Sequence, residues 1–181
     1  MESMKAISRR NRLLGLAFAG ALCGASVVAA PMVGAATDGT LAVTYYQESN
    51  YNSGKCLDDP GGSQATQVAI QQYTCNGTVS QQWAQYPTDS GYFQLVVAAS
   101  GQCLEVEGSS QENDHTIQQN ICNGGYNQQW TWRSSPVSPY RLLVARHSGK
   151  CMGVLFDSLL NQAKVVQYTC DGGPSEDWYT S

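Results

Sequence analysis

The stretch Ser53-Gly54-Lys55-Cys56 opens a pattern that decides the fold, because Cys75 follows 19 positions later and Trp83 eight positions after that. The same pattern begins again at Ser100 and at Ser148, so that corresponding residues lie 47 or 48 positions apart. The recurring residues are the cysteine pairs Cys56/Cys75, Cys103/Cys122 and Cys151/Cys170 and the tryptophans Trp83, Trp130 and Trp178. A fixed period of this size with several recurring residues predicts one supersecondary unit present in three copies.

The first 36 residues are predicted to be a secretory signal peptide. Four basic residues precede an apolar run at 13–30, and small residues near Ala35/Ala36 offer a cleavage site. An uncleaved membrane anchor is the alternative, and three glycines that interrupt the run disfavour it. No other stretch is long and apolar enough to cross a bilayer. We therefore expect a secreted, extracellular protein with a short lead at 37–44 and a single domain at 45–181.

The cysteine content supports export. Of the seven cysteines, Cys23 lies in the predicted signal peptide, and the remaining six allow fifteen pairings. If the three repeats share one local structure, each repeat closes its own loop. The predicted disulfides are then Cys56–Cys75, Cys103–Cys122 and Cys151–Cys170. Each would stabilise the fold by about 3 kcal/mol in the chain-entropy description.

Short β-rich segments separated by glycine-containing turns predict an all-β protein. The repeats span about 45–90, 91–138 and 139–181, and four short strands in each give twelve in total. One repeat cannot bury its own apolar face, so the three are expected to pack around a common axis. A closed threefold barrel with hairpin caps leaves few open strand edges. We expect Trp83, Trp130 and Trp178 to supply its core.

Several segments carry a family resemblance. Gln81-Gln82-Trp83 and Gln128-Gln129-Trp130 resemble the Gln-x-Trp motif of ricin-B-type lectins and of related carbohydrate-binding modules of secreted bacterial glycosidases. The Ser-Gly-Lys-Cys-Leu-Asp sequence at 53–58 and the Cys-Asn-Gly sequence at 75–77 share this resemblance. It covers essentially the whole mature chain, in all three repeats. It implies a β-trefoil (QxW repeat) fold and carbohydrate binding.

The resemblance also implies which first-repeat residues bind the sugar. Asp58 would accept hydrogen bonds from a pair of hydroxyl groups, since a charged acceptor makes the stronger bonds. Tyr73 would cover the apolar face of the ring. Gln71, Asn76 and Gln81 would supply directional amide contacts. One departure is the serine at position 80, where family members often have asparagine.

The second repeat resembles the pattern less closely. Its candidate residues are Glu105, Gln118, Asn123, Asn127 and Gln128. A longer carboxylate replaces the aspartate, and Asn120 occupies the position of the stacking aromatic ring. We therefore predict weaker binding here, unless Tyr126 or Trp132 provides a ring from a neighbouring loop.

The third repeat keeps an aromatic candidate, Tyr168, but departs elsewhere. Gly153 removes the carboxylate, and Glu176-Asp177-Trp178 replaces the glutamine motif. This repeat is predicted to be mainly structural.

Other function classes receive little support. Residues 37–181 carry six basic and thirteen acidic side chains, a net charge of −7, which disfavours nucleic-acid binding. His115 and His147 lack ligand-spaced partners, so we expect no metal and no cofactor. No carboxylate dyad or nucleophile motif is evident, and we expect no enzymatic activity. The alternatives are a protein-binding trefoil, such as a secreted protease inhibitor, and an accessory subunit of a separately encoded glycosidase.

Overall fold

The computed structural model describes residues 42–181, and the predicted signal peptide at 1–36 lies outside them. The described chain is all-β. Its strands are β1 (Glu48–Asn50), β2 (Cys56–Asp58), β3 (Val68–Ala69), β4 (Gln71–Tyr73), β5 (Trp83–Pro87), β6 (Phe93–Val97), β7 (Cys103–Val106), β8 (His115–Asn120), β9 (Trp130–Ser134), β10 (Arg141–Ala145), β11 (Cys151–Val154), β12 (Val165–Tyr168) and β13 (Asp177–Thr180). Short 3₁₀ turns lie at Pro60–Gly62, Val79–Gln81, Glu107–Ser109, Tyr126–Gln128, Leu155–Asp157 and Pro174–Glu176. None of these helical segments could span a membrane.

Six strands form a closed antiparallel barrel. Each strand pairs with the next in the order β1, β13, β10, β9, β6, β5. A bridge between Tyr46 and Trp83 joins the two ends. The hairpins β2/β4, β7/β8 and β11/β12 cap one end of the barrel, and bonds from Ile70 to Ile117 and from Val165 to Ile70 link them. This is the predicted β-trefoil, with one hairpin from each repeat.

The strand count is thirteen, whereas the sequence predicted twelve. The extra strand arises in the first repeat, where Ile70 separates β3 from β4; the second repeat has one continuous strand, β8, in this place. The residue after β2, Asp59, donates its backbone N–H to the carbonyl of Ser80, at 3.0 Å. The backbone of Ile70 bonds to the other repeats instead: its N–H donates to Ile117 at 2.9 Å, and its carbonyl accepts from Val165 at 3.0 Å.

The core repeats one arrangement three times. Trp83, Trp130 and Trp178 are each 0% exposed. Each indole Nε1 donates to the carbonyl of the residue that follows a first cysteine, namely Leu57 (3.1 Å), Leu104 (3.0 Å) and Met152 (3.0 Å). The three predicted disulfides are present, one per repeat, each with 5.0 Å between the two Cα atoms. A buried tryptophan thus fixes each cysteine loop against the barrel.

Three equivalent buried glutamines, one per repeat, join neighbouring repeats by hydrogen bonds. They are Gln72, Gln119 and Gln167, and they were not predicted from the sequence. Each of these glutamines is 0% exposed. Gln72, for example, accepts from the hydroxyl of Ser53 at 2.6 Å and donates to the carbonyls of Ser158 and Leu160. The other two make the equivalent contacts. In every repeat the glutamine follows its serine partner by 19 positions, and this constant spacing is the sequence feature that could have predicted the contact.

Candidate functional site

The first-repeat site is built around the carboxylate of Asp58, the last residue of β2. Its Oδ1 accepts from Gln71 Nε2 at 2.7 Å, and its Oδ2 accepts from Gln81 Nε2 at 3.0 Å. Asp58 is only 5% exposed. Burial raises its pKa, and the two amide hydrogen bonds oppose that rise. Because a carboxylate has about four acceptor positions, each oxygen can accept another hydrogen bond from a ligand.

A shallow pocket opens onto this carboxylate. Its walls are formed by Asp58, Pro60, Gly61, Gln71, Tyr73, Asn76, Thr78, Ser80 and Gln162. The Asn76 oxygen accepts from the backbone and side chain of Thr78, at 3.0 and 2.8 Å, so the amide NH₂ group is left for a ligand. Gln81, which positions Asp58, also accepts from the Asn76 backbone N–H at 2.8 Å. Four of the five first-repeat candidates therefore line this pocket, and the fifth, Gln81, is buried behind it and bonded to Asp58 and Asn76.

One wall residue, Gln162, belongs to the third repeat and was not among the site residues predicted from the sequence. Its backbone φ is +66°, and its backbone N–H donates to the carbonyl of Gln72 at 2.9 Å. The equivalent Asp114 of the second repeat lines the third-repeat pocket in the same way. Each of these pockets thus takes one side chain from another repeat. The only available signal was that Gln67, Asp114 and Gln162 occupy one repeat position.

The second-repeat carboxylate, Glu105, is saturated by its own protein. Oε1 accepts from Gln118 and Asn120, each at 2.8 Å, and Oε2 accepts from Gln128 at 2.8 Å and Asn127 at 3.4 Å. Glu105 is 3% exposed. The four amides occupy its four acceptor positions. Asn120, in the place of the stacking ring, points at the carboxylate. The fifth candidate, Asn123, accepts from Gly125 N–H at 2.8 Å within its own turn.

In the third repeat a tyrosine ring occupies the carboxylate position. A Cβ atom placed on Gly153 would lie 3.0 Å from Cδ2 of Tyr168, so the ring rests on the glycine. Glu176, in the place of Gln81, accepts through Oε2 from the backbone N–H groups of Asp171 (3.2 Å) and Gly172 (3.1 Å). Burial raises the pKa of Glu176. The carboxylate of this repeat therefore comes from position 176, and Cγ of Glu176 would lie 3.4 Å from a Cβ placed on Gly153.

A second carboxyl group lies directly behind the first-repeat site. Asp59 occupies the core position of Val106 and Val154, is 0% exposed, and has no hydrogen-bond partner at either carboxyl oxygen. Burial, together with the charge of Asp58, raises the pKa of Asp59 to about 7, against a smaller opposing effect of the Ser63 backbone. Asp59 was not among the predicted site residues, although an aspartate at a repeat position that otherwise carries valine is visible in the sequence.

Glu48 is another buried carboxyl group at a position that is apolar in the other repeats, and it lies inside the barrel. It stands where the other repeats place Leu95 and Leu143, and it is 0% exposed. Burial raises its pKa to about 7, while a 2.7 Å hydrogen bond from Thr180 and the charge of Arg141 act in the opposite direction.

Within residues 42–181 no group of three or more histidine, cysteine or acidic side chains is arranged to hold a metal ion.

The three repeats, the closed barrel and its hairpin caps define a β-trefoil. The chain belongs to the family described as ricin-type beta-trefoil lectin domain-like, whose model matches residues 35–120, 85–155 and 126–181. These overlapping matches follow the three repeats. Three disulfides in this fold are consistent with an extracellular location.

Solved structures agree with this assignment. A designed 3-fold symmetric protein, ThreeFoil, is 36% identical, with a TM-score of 0.73 over 75% of this chain and 96% of that chain. The exo-beta-1,3-galactanase 1,3Gal43A from Clostridium thermocellum is 34% identical, with a TM-score of 0.74 over 77% of this chain but only 30% of the enzyme. The hemolytic lectin CEL-III is 26% identical, with a TM-score of 0.62 over 75% of this chain and 30% of that lectin. No curated protein matches the sequence significantly.

Proposed function

We propose that this is a secreted, non-catalytic carbohydrate-binding protein whose first repeat binds a neutral glycan. The glycans we favour are galactose-type sugars and arabinose- or xylose-containing polysaccharides. The observation that carries the proposal is the state of the Asp58 carboxylate. It is oriented by Gln71 and Gln81, yet each oxygen retains an acceptor position that faces an open pocket.

Two neighbouring hydroxyl groups of a sugar would donate to the two oxygens of Asp58. Because the amide groups already hold the carboxylate in place, binding requires little ordering of this side chain. The ring of Tyr73 lies on the wall of the same pocket, where it can cover the apolar face of a pyranose. The free amide NH₂ group of Asn76 offers a further donor to a hydroxyl oxygen.

The site favours binding over hydrolysis. Glycoside hydrolysis requires two carboxyl groups that both reach the scissile bond. The carboxyl group beside Asp58 belongs to Asp59, which is 0% exposed and cannot contact a sugar in the pocket. The similarity to the galactanase covers only 30% of that enzyme, so its activity is not carried over to this chain.

A single shallow pocket predicts weak binding. A dissociation constant on the order of 1 mM corresponds to about −4 kcal/mol. Proteins that use such sites gain avidity from several copies on one body. Because Glu105 is saturated and Gly153 carries no carboxylate, the first repeat alone supplies this kind of site. We therefore expect weak binding of free sugar and poor agglutination by the monomer.

The test is a calorimetric titration of the mature protein with galactose, lactose, arabinose and xylan-derived oligosaccharides. We expect Asp58→Ala to abolish measurable binding, since it removes both acceptors. Asp58→Asn retains the size of the side chain and is expected to weaken binding about tenfold or more, the usual effect of losing a charged hydrogen bond.

The matched control is Glu105→Gln, the equivalent change in the second repeat, which should leave neutral-sugar binding unchanged. Binding that survives both Asp58 substitutions but is lost in Glu105→Gln would move the site to the second repeat. No binding of any glycan in this set by the wild-type protein would contradict the proposal.

A further inference from the structure

A cavity opens at the end of the barrel opposite the hairpin caps. The caps follow the last residues of β1, β6 and β10, whereas this barrel-mouth cavity lies at the first residue of β10, Arg141, and the last residue of β13, Thr180. Its volume is about 570 Å³, a size typical of small-molecule sites. Its wall also includes Tyr46, Gln85 and Tyr86, and it shares no residue with the Asp58 pocket.

Arg141 is the one charged residue in the described wall. Its guanidinium lies 4.4 Å from the centroid of the Trp132 ring and donates to the hydroxyl of Thr180 at 2.9 Å. A guanidinium has five N–H donors, and within residues 42–181 Arg141 forms no ion pair within 4 Å. It therefore presents further donors and a positive charge to the cavity.

The fold itself does not require polar residues here. At the position of Arg141 the second repeat places Phe93, and at the position of Glu48 the other repeats place Leu95 and Leu143. Both leucines are 0% exposed, so an apolar side chain fills that core position in two of the three repeats. An arginine and a buried glutamate in one sector of the barrel cost stability that leucine and phenylalanine would not, which indicates a role other than packing.

Glu48 lies behind the cavity wall and holds Arg141 through Thr180. It is 0% exposed, and its Oε2 accepts from the Thr180 hydroxyl at 2.7 Å. Since Thr180 donates to Glu48, its oxygen is oriented to accept from Arg141. Burial raises the pKa of Glu48 to about 7. At pH 6 this carboxyl group is therefore neutral, and it does not cancel the charge of the arginine.

We propose that the barrel-mouth cavity binds a uronic acid, a sugar whose carboxylate pairs with the guanidinium of Arg141. A guanidinium and a carboxylate form two parallel hydrogen bonds, a geometry that a hydroxyl group cannot match. The rings of Tyr46 and Tyr86, which are 36% and 43% exposed, would contact the apolar face of the sugar. The cavity shares with the proposed function only the premise that this trefoil binds glycans.

The test follows the indole N–H signal of Trp132 by NMR, while the mature protein is titrated at pH 6 with galacturonate, galactose or lactate. Trp132 reports on the cavity because Arg141 lies over its ring. Its Nε1 has no partner among the described residues, whereas the other three tryptophans donate to backbone carbonyls, so its signal should be distinct.

We expect a saturable shift of this signal with galacturonate. Galactose has no charged acceptor and should bind here about tenfold or more weakly. Lactate has a carboxylate but no sugar ring for the tyrosines to contact, and it should also bind more weakly.

Three substitutions of Arg141 separate its charge from its geometry. Arg141→Gln should weaken galacturonate binding about tenfold or more, since a charged hydrogen bond is lost. Arg141→Lys retains the charge but not the two parallel bonds, and its affinity should fall between those of the wild type and Arg141→Gln. Arg141→Phe introduces the residue of the second repeat, so the protein should remain folded without binding galacturonate.

Glu48→Leu tests the support behind the wall. It should weaken galacturonate binding several-fold although it stabilises the fold, a combination that a purely structural role would not produce. Arg133→Gln is the matched control, because Arg133 is exposed outside the cavity wall and should not affect the titration. Asp58→Asn should also leave the Trp132 shift unchanged, so failure of the Asp58 site with neutral sugars is distinguishable from failure of this one.

Three results would overturn the proposal. The first is a Trp132 signal that galacturonate leaves unchanged. The second is galacturonate binding that is as tight in Arg141→Gln as in the wild type. The third is lactate binding as tight as that of galacturonate, which would assign the cavity to small carboxylates rather than to a sugar.

Discussion

Asp59→Val is expected to raise the free energy of unfolding by about 2 kcal/mol or more at pH 8, and by less at pH 4. The carboxyl group is fully buried without a hydrogen-bond partner, in a position that Val106 and Val154 fill with apolar side chains. At pH 8 the folded protein must hold a buried charge there or retain a proton that the unfolded chain releases. Valine removes this cost.

The direction in which stability changes with pH follows from the direction of the pKa shift of Asp59. The pKa of Asp59 rises from an ordinary 3.8 to about 7 on folding. Between pH 4 and 7 the folded state therefore binds more protons than the unfolded state, and this group's contribution to stability is lost as the pH rises. Each unit of pH in that window changes the free energy by at most about 1.4 kcal/mol. Urea unfolding at pH 4, 6 and 8 measures the effect.

Two variants serve as comparisons. Val154→Asp places a carboxyl group in the equivalent core position and should introduce a similar loss of stability with rising pH. Glu48→Leu should also stabilise the protein at pH 8, but by less, because Thr180 and Arg141 already support that carboxyl group. An Asp59→Val protein whose stability falls between pH 4 and 8 as steeply as that of the wild type would contradict this account.

Glu105→Ala is expected to lower the free energy of unfolding by about 4 kcal/mol. The carboxylate accepts from four amide groups, and hydrogen bonds to a charged group contribute about 1.5–3 kcal/mol each. Alanine would leave these donors without their acceptor around a buried cavity. Gln128 has a remaining bond to the carbonyl of Ile121, and Asn127 one to Val106, so the loss is smaller than the full sum.

Asp58→Ala is the matched comparison, since it truncates the equivalent carboxylate of the first repeat. Only two amides donate to Asp58, and its pocket admits water, so we expect a loss of about 1–2 kcal/mol. The two variants should therefore separate stability from binding. Equal destabilisation by both, measured by urea unfolding, would show that the Glu105 network is no more structural than the Asp58 site.

Asp58 and Glu105 occupy the same repeat position but have different surroundings. An acidic side chain two residues after the first cysteine can either face a ligand or organise its own loop. Two positions differ between these repeats, since Asn120 and Asn127 donate to Glu105 where the first repeat has Tyr73 and Ser80. The tyrosine leaves Asp58 open to the pocket, whereas Asn120 turns its amide toward Glu105.

Several features of this protein could be predicted from the sequence. The 47- or 48-residue period, the constant spacing of the cysteines and the recurring tryptophans indicated three repeats, their disulfides and a closed all-β fold. These features follow from sequence because they depend on local loop closure and on a periodic pattern of buried residues. The first-repeat candidates came from the family resemblance instead, and the structure shows that strand register places two of them, Asp58 and Gln71, side by side.

Only the tertiary structure decided how each pocket is used. The saturation of Glu105, the ring of Tyr168 over Gly153, the entry of Gln162 from another repeat and the burial of Asp59 all depend on contacts between segments distant in the chain. A sequence pattern shows which polar groups occur at a repeat position. Their free acceptors and net charge depend on which neighbours the closed barrel brings within hydrogen-bonding distance, and this is determined only when all three repeats pack together.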